Sequence, residues 1–113
     1  GVSGVTVADT PEGRPPVAEL SAFPNPARPG QAVRILGALR LADVTRPLVL
    51  SIFNVSGGRL RSQTLPAPDP IGRVSFLWDN TETGPAALGA GVYFLRLTQG
   101  NYLVGFGKVV LAR

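Results

Sequence analysis

The stretch Gly89-Ala90-Gly91-Val92-Tyr93-Phe94-Leu95-Arg96-Leu97-Thr98-Gln99-Gly100 decides how the rest of the chain is read. Two glycines open it, and Gly100-Asn101 closes it as a turn. Between them Tyr93, Leu95 and Leu97 fall on one face of a strand, with Val92, Phe94 and Arg96 on the other. It reads as a central strand, with Gly91 at its entry and Tyr93 as a structural tyrosine.

Working outward, the same period-two alternation recurs in short segments separated by proline and glycine. Val2 to Val7 suits a short strand, and Asp9 to Pro16 breaks it with three prolines and a glycine. Residues 1–16 are therefore expected to be a strand on a Pro/Gly-rich leash, and residues 17–113 one domain. Val17 to Phe23 is a second strand, ended by Phe23-Pro24-Asn25-Pro26, whose prolines donate no ladder hydrogen bonds. Ala32 to Ala38 follows with Val33 and Ile35 on one face. Leu48, Leu50 and Ile52 should then face the core, opposite Val49, Ser51 and Phe53.

Asn54 to Gly58 forms a hairpin turn in which Gly57 and Gly58 would supply positive φ angles. Arg59 to Leu65 returns from it with Leu60 inward. Pro66 to Pro70 is a stiff, irregular connection. Arg73 to Trp78 is a strand with Val74, Phe76 and Trp78 on one side, and Asp79 to Leu88 is a long loop. Tyr102 to Ala112 closes the chain with Val109 and Leu111 inward. Gly105 and Gly107, two apart, flatten one face of that strand and permit a bulge or the close approach of another backbone. No segment supports a helix longer than a turn, so the fold expected is an all-β, antiparallel sandwich of about seven strands.

Composition narrows the chemistry. The 113 residues include no cysteine and no histidine, which removes disulfides, thiolate metal sites, the usual general base near neutral pH and the commonest transition-metal ligand. Ten arginines and one lysine against seven acids give a net charge of +4. The arginines are scattered singly with no basic run, which argues against nucleic acid and leaves acidic polysaccharide as a partner for a basic surface. Methionine is absent even at position 1, so a processed product, with a segment removed ahead of Gly1, is expected. No segment has the length and apolarity of a membrane span.

No pair of carboxylates is spaced for proton transfer, and Gly89-Ala90-Gly91 lacks the third glycine and helix of a phosphate loop, so neither catalysis nor a cofactor is expected. Asp79, Asn80 and Glu82 offer oxygen ligands in one loop and form a calcium candidate, although the spacing matches no EF-hand and an Asx-turn explains it equally well. Trp78 falls on the core face, which disfavours a sugar-stacking platform. Phe53, Phe94, Tyr102 and Phe106 fall by alternation on the opposite face, and outward aromatics on a small sandwich mark a contact surface.

The Gly-x-Tyr-x-apolar run resembles the entry to strand F of an immunoglobulin-like sandwich, where the tyrosine hydroxyl bonds back to the backbone just upstream. Leu95 stands where an antibody domain has cysteine. A longer resemblance is carried, in order, by Pro24-Asn25-Pro26, Leu50-Ser51-Ile52-Phe53-Asn54-Val55-Ser56-Gly57-Gly58-Arg59-Leu60, Trp78-Asp79, Gly91-Val92-Tyr93-Phe94-Leu95-Arg96-Leu97 and Lys108-Val109-Val110-Leu111-Ala112-Arg113. Together these resemble the C-terminal sorting domains of the bacterial type IX secretion system and the related Ig-like domain of flagellar hook-capping proteins, over Phe23 to Arg113. The resemblance implies an Ig-like sandwich in a secreted or cell-surface protein, read by outer-membrane export machinery through its last strand, with Lys108 and Arg113 in the sorting motif. Asn54 departs from the aspartate usual in that family.

Three functional expectations follow. The first is a structural subunit of an extracellular filament, in which Val2, Val5 and Val7 of one copy add a strand to another copy. The leash from Asp9 to Pro16 spans about 25 Å if extended, enough to reach a neighbour. The second is a sorting or anchoring module read by export machinery. A carbohydrate-binding module is a third.

Overall fold

The computed structural model describes residues 17–40, 43–79 and 88–112. Among them are seven strands and no helix: β1 (Ala18–Phe23), β2 (Val33–Ala38), β3 (Leu48–Phe53), β4 (Arg59–Leu65), β5 (Arg73–Trp78), β6 (Gly91–Gln99) and β7 (Tyr102–Leu111). The expected strand at Val2 to Val7 lies outside the described residues.

The strands follow the order β4-β3-β6-β7-β1-β2-β5. β1 joins the two limbs of this order. Its first half, Ala18 to Leu20, pairs parallel with Gly105 to Gly107 of β7, and its second half, Ser21 to Phe23, pairs antiparallel with Arg34 to Leu36 of β2. The sheet thereby curls over itself and encloses one core. The expected antiparallel sandwich holds with one refinement: the β1–β7 pairing is parallel.

The core follows the alternation. Leu48, Leu50 and Ile52 of β3, Tyr93, Leu95 and Leu97 of β6, Val33 and Ile35 of β2, and Ala18 and Leu20 of β1 are all buried in a single cluster with Trp78, Val104, Val109 and Leu111. Leu95 and Val109 have no exposed surface. Burying a side chain of this size contributes about 1.5–3 kcal/mol, which is what a chain without disulfides must rely on.

Leu20 shows why the glycines of β7 are needed. An added Cβ at Gly107 would lie 2.6 Å from the Leu20 carbonyl oxygen, and one at Gly105 or Gly37 would lie 2.9 or 2.7 Å from the Leu20 side chain. Three glycines thus form the socket in which β1 crosses between the limbs. The other outcome anticipated for this glycine pair also occurs. Leu97 pairs with Gly105 and Thr98 with Leu103, leaving Val104 as an extra, fully buried residue in a β-bulge.

Candidate functional site

The sheet face that turns away from the core can be read from the ladder register, because directly paired residues share a face. One row runs Arg59, Phe53, Phe94, Lys108 across β4, β3, β6 and β7. The next runs Ser62, Ser51, Arg96, Phe106 and Glu19. Glu19 is the one acid among these residues.

The side chains in these rows engage one another. The Arg96 guanidinium lies over the Phe53 ring, 5.6 Å from its centroid. Phe94 and Phe106 are stacked with centroids 5.9 Å apart and planes 20° from parallel. Arg59, Arg96, Lys108 and Phe106 are exposed, whereas Phe53 and Phe94 are half-buried beneath them. These two phenylalanines therefore form the floor of the face, a correction to their expected exposure that follows from the cover of Arg96 and Phe106.

Tyr102 does not belong to this face. It pairs with the buried Gln99 across the Gly100-Asn101 turn, because the extra residue at Val104 inverts the alternation between Phe106 and Tyr102. It is 43 % exposed at the end of the hairpin, apart from the three phenylalanines.

The second feature is the pair of strands that end the order, β4 and β5. β7 pairs with β1 only over Gly105 to Gly107 but is covered beyond that stretch as far as Ala112. Past the β1 pairing, the Asn25 side chain donates to the Lys108 carbonyl at 3.1 Å and accepts from the Val110 N–H at 2.9 Å. The Ala27 N–H then donates to the Val110 carbonyl at 2.8 Å, and the Ala112 N–H donates to the Ala27 carbonyl at 2.7 Å. β4 is blunted by Arg59 and Arg61 and by the polar run Ser62-Gln63-Thr64.

Among the described residues no strand pairs with the outer edge of β5, Arg73-Val74-Ser75-Phe76-Leu77-Trp78, and beyond its first residue Ser75 is its one polar side chain. Beside it the core is partly open. Leu48, Leu65, Val74 and Phe76 line part of an opening of about 770 Å³, and Leu50, Ile52, Phe76 and Trp78 line part of another of about 360 Å³. Trp78 is buried, as its place on the core face requires, while Val74 and Phe76 are half-buried.

The remaining candidates are placed as follows. Tyr93 is buried in β6 and its hydroxyl donates to the Gly89 carbonyl at 2.6 Å, across the Gly91 entry. Asp79 is exposed at the end of β5, while its proposed calcium partners Asn80 and Glu82 lie outside the described residues. Among the described residues no three His, Cys, Asp or Glu side chains come together. Lys108 projects from the outer face of β7, and Arg113 and the donor residues Val2, Val5 and Val7 lie outside the described residues. Of the two glycines in the β3–β4 turn, Gly57 has positive φ, at 90°, and Gly58 does not take the one expected of it. The turn is held in addition by Asn54, whose side-chain oxygen accepts from the Ser56 and Gly58 N–H groups at 3.0 and 2.8 Å.

Sequence reasoning missed Gln99, which is 5 % exposed and fully hydrogen-bonded to the loop ahead of β3. It donates to the Asp43 and Arg46 carbonyls at 2.6 and 3.0 Å and accepts from the Asp43 N–H at 2.9 Å. Its parity with Tyr93, Leu95 and Leu97 was the available signal. Asp43 itself is held below the ordinary carboxylate range, chiefly by the Thr45 hydroxyl at 2.6 Å, then by the Thr45 N–H and the Arg46 charge.

No family model matches the chain, and no curated protein matches it either. Solved structures do. An immunoglobulin-like protein from Pseudomonas aeruginosa is 17% identical with a TM-score of 0.58, over 88% of this chain and 95% of that one. The alkylpurine DNA glycosylase AlkC of Pseudomonas fluorescens, solved bound to DNA containing an abasic-site analogue, is 10% identical with a TM-score of 0.52. That match covers 85% of this chain but 30% of the glycosylase. At these identities the likeness concerns the fold alone, and with the strand order above it is an immunoglobulin-like fold.

Proposed function

We propose that the chain is a non-catalytic structural module of the cell surface or extracellular space that joins copies of itself by strand addition. In this reading Val2 to Val7 of one copy pairs with β5 of the next. The observation that carries it is the β5 edge, which no other strand among the described residues pairs with, beside an opening lined by core side chains. An added strand gains main-chain hydrogen bonds along such an edge and buries alternate apolar side chains in the groove. Val5 and Val7, two apart, are suited to that. Donation from one copy to the next has no symmetry closure, so it builds filaments.

The surface placement is supported by the order of landmarks resembling type IX sorting and hook-capping domains. The same resemblance supports a second reading, in which export machinery recognises β7 and its exposed Lys108. Fusing residues Phe23 to Arg113 to a periplasmic reporter tests it, and a reporter that stays in the periplasm of a competent host speaks against it.

The strand-addition reading is tested by two variants. Deleting Gly1 to Ala8 removes the donor, and Val74→Lys places a charge in the acceptor groove. Each alone is expected to be monomeric by light scattering, and their mixture to form a one-to-one complex, because one retains the acceptor and the other the donor. Oligomers that persist in the deletion variant, or a mixture that stays monomeric while the intact chain assembles, contradict the reading.

A further inference from the structure

The outer face of β3, β6 and β7 is a separate surface from the β5 edge, and its chemistry points to a separate ligand. We infer that this face binds an anionic polysaccharide, a chain carrying carboxylates at intervals along its sugars. Arg59 and Lys108 end a row whose middle is Phe53 and Phe94. Three strand spacings separate them, about 14 Å, and Arg96 stands one row away, about 7 Å along the strand. Three exposed cations thus surround a phenyl floor, with Glu19 the one acid at the margin.

Charge excludes the simplest alternative. A second copy docking face to face would set Arg59, Arg96 and Lys108 against the same three cations, so the partner must bring negative charge. The arrangement of the rings then separates polysaccharide from single-stranded nucleic acid. Base stacking needs free aromatic faces. Here the Arg96 guanidinium covers Phe53, and Phe94 and Phe106 are stacked on each other.

What the face offers instead is an exposed guanidinium lying over a ring, a donor group suited to a carboxylate. Beside it, the 41 % of Phe106 that is exposed gives the apolar C–H groups of a sugar a contact that does not require a whole free ring face. At the β1 side the face deepens into a cleft of about 680 Å³ lined in part by Phe94, Phe106, Lys108 and Asn25. A sugar unit seated there would bring its carboxylate to Lys108.

The test is affinity electrophoresis of the full chain through gels containing polygalacturonate, with dextran as the neutral control and oligo-dT as the nucleic-acid control. Retardation by polygalacturonate and not by dextran is expected, with a dissociation constant at least 10-fold weaker in the Arg96→Gln/Lys108→Gln variant. The variant Arg34→Gln/Arg73→Gln removes two charges from β2 and β5 and is expected to change affinity less than 2-fold. Absence of retardation by polygalacturonate overturns the inference. So does equal weakening in both double variants, which makes binding a matter of net charge, and so does tighter binding of oligo-dT, which makes the face a nucleic-acid surface. The Arg96→Gln/Lys108→Gln variant leaves the donor segment and all of β5 intact, so polysaccharide binding and assembly can fail independently.

Discussion

Asp43 and Gln99 fix the loop ahead of β3 from opposite sides, one through a turn on the surface and one through a buried amide. The Thr45 hydroxyl and N–H both donate to the Asp43 carboxylate and favour its ionised form. A carboxyl whose folded pKa is depressed stabilises the fold above its unfolded value and loses that contribution as pH falls through the folded value. The Asp43 midpoint followed by NMR is therefore expected below the ordinary 3.8. Thr45→Ala should raise it toward that value, and an unchanged midpoint would remove Thr45 as the cause. Gln99 is a stability residue. Gln99→Ala leaves the Asp43 N–H and two carbonyls without their partner and should cost about 1–3 kcal/mol in urea unfolding. Tyr93→Phe, which removes one hydrogen bond to Gly89 and keeps the ring, should cost about 1 kcal/mol.

At the scale of the element, β7 carries the architecture because it accepts β1 on one side and β6 on the other. Its glycines are not equivalent. A side chain at Gly107 meets the Leu20 backbone, whereas one at Gly105 meets the movable end of the Leu20 side chain and the Leu97 Cβ. Gly107→Ala is accordingly expected to be the more destabilising, by about 1–3 kcal/mol, with loss of amide protection concentrated in β1. Equal effects at the two positions would contradict the socket. Alternation gave the faces of β2, β3 and β6 because nothing interrupts their inward rows. It also gave the outward direction of Phe53, Phe94 and Phe106. It failed for Tyr102, since a bulge adds a residue without any mark in the side-chain pattern other than Gly105 next to Val104. The turn chemistry of Asn54 was hidden for a different reason: two adjacent glycines suggest two positive φ angles, whereas one suffices when a side-chain oxygen ties the turn's N–H groups together.

For the whole molecule, the decisive feature is the crossing of β1, which covers the middle of β7 and leaves β5, among the described residues, as an end of the sheet with no strand beside it. That outcome was not legible in the chain, because strand order depends on which segments meet in space, and the sequence pattern records only which side of each strand is apolar. The proline-rich connection Pro66 to Pro70 was legible as irregular, but only the structure shows that β5 receives no strand beside it among the described residues. Net charge and outward aromatics are similarly separate in sequence and join into one face only through the β3–β6–β7 register. The central claim is that a donor strand from another copy completes β5. Hydrogen exchange of the Val74 to Trp78 amides measures this most directly, in the intact chain at several concentrations and in the variant lacking Gly1 to Ala8. Strand addition predicts protection of β5 that rises with concentration and is lost on deletion, while β3 and β6 are unaffected; β5 protection independent of both concentration and the first eight residues would contradict it.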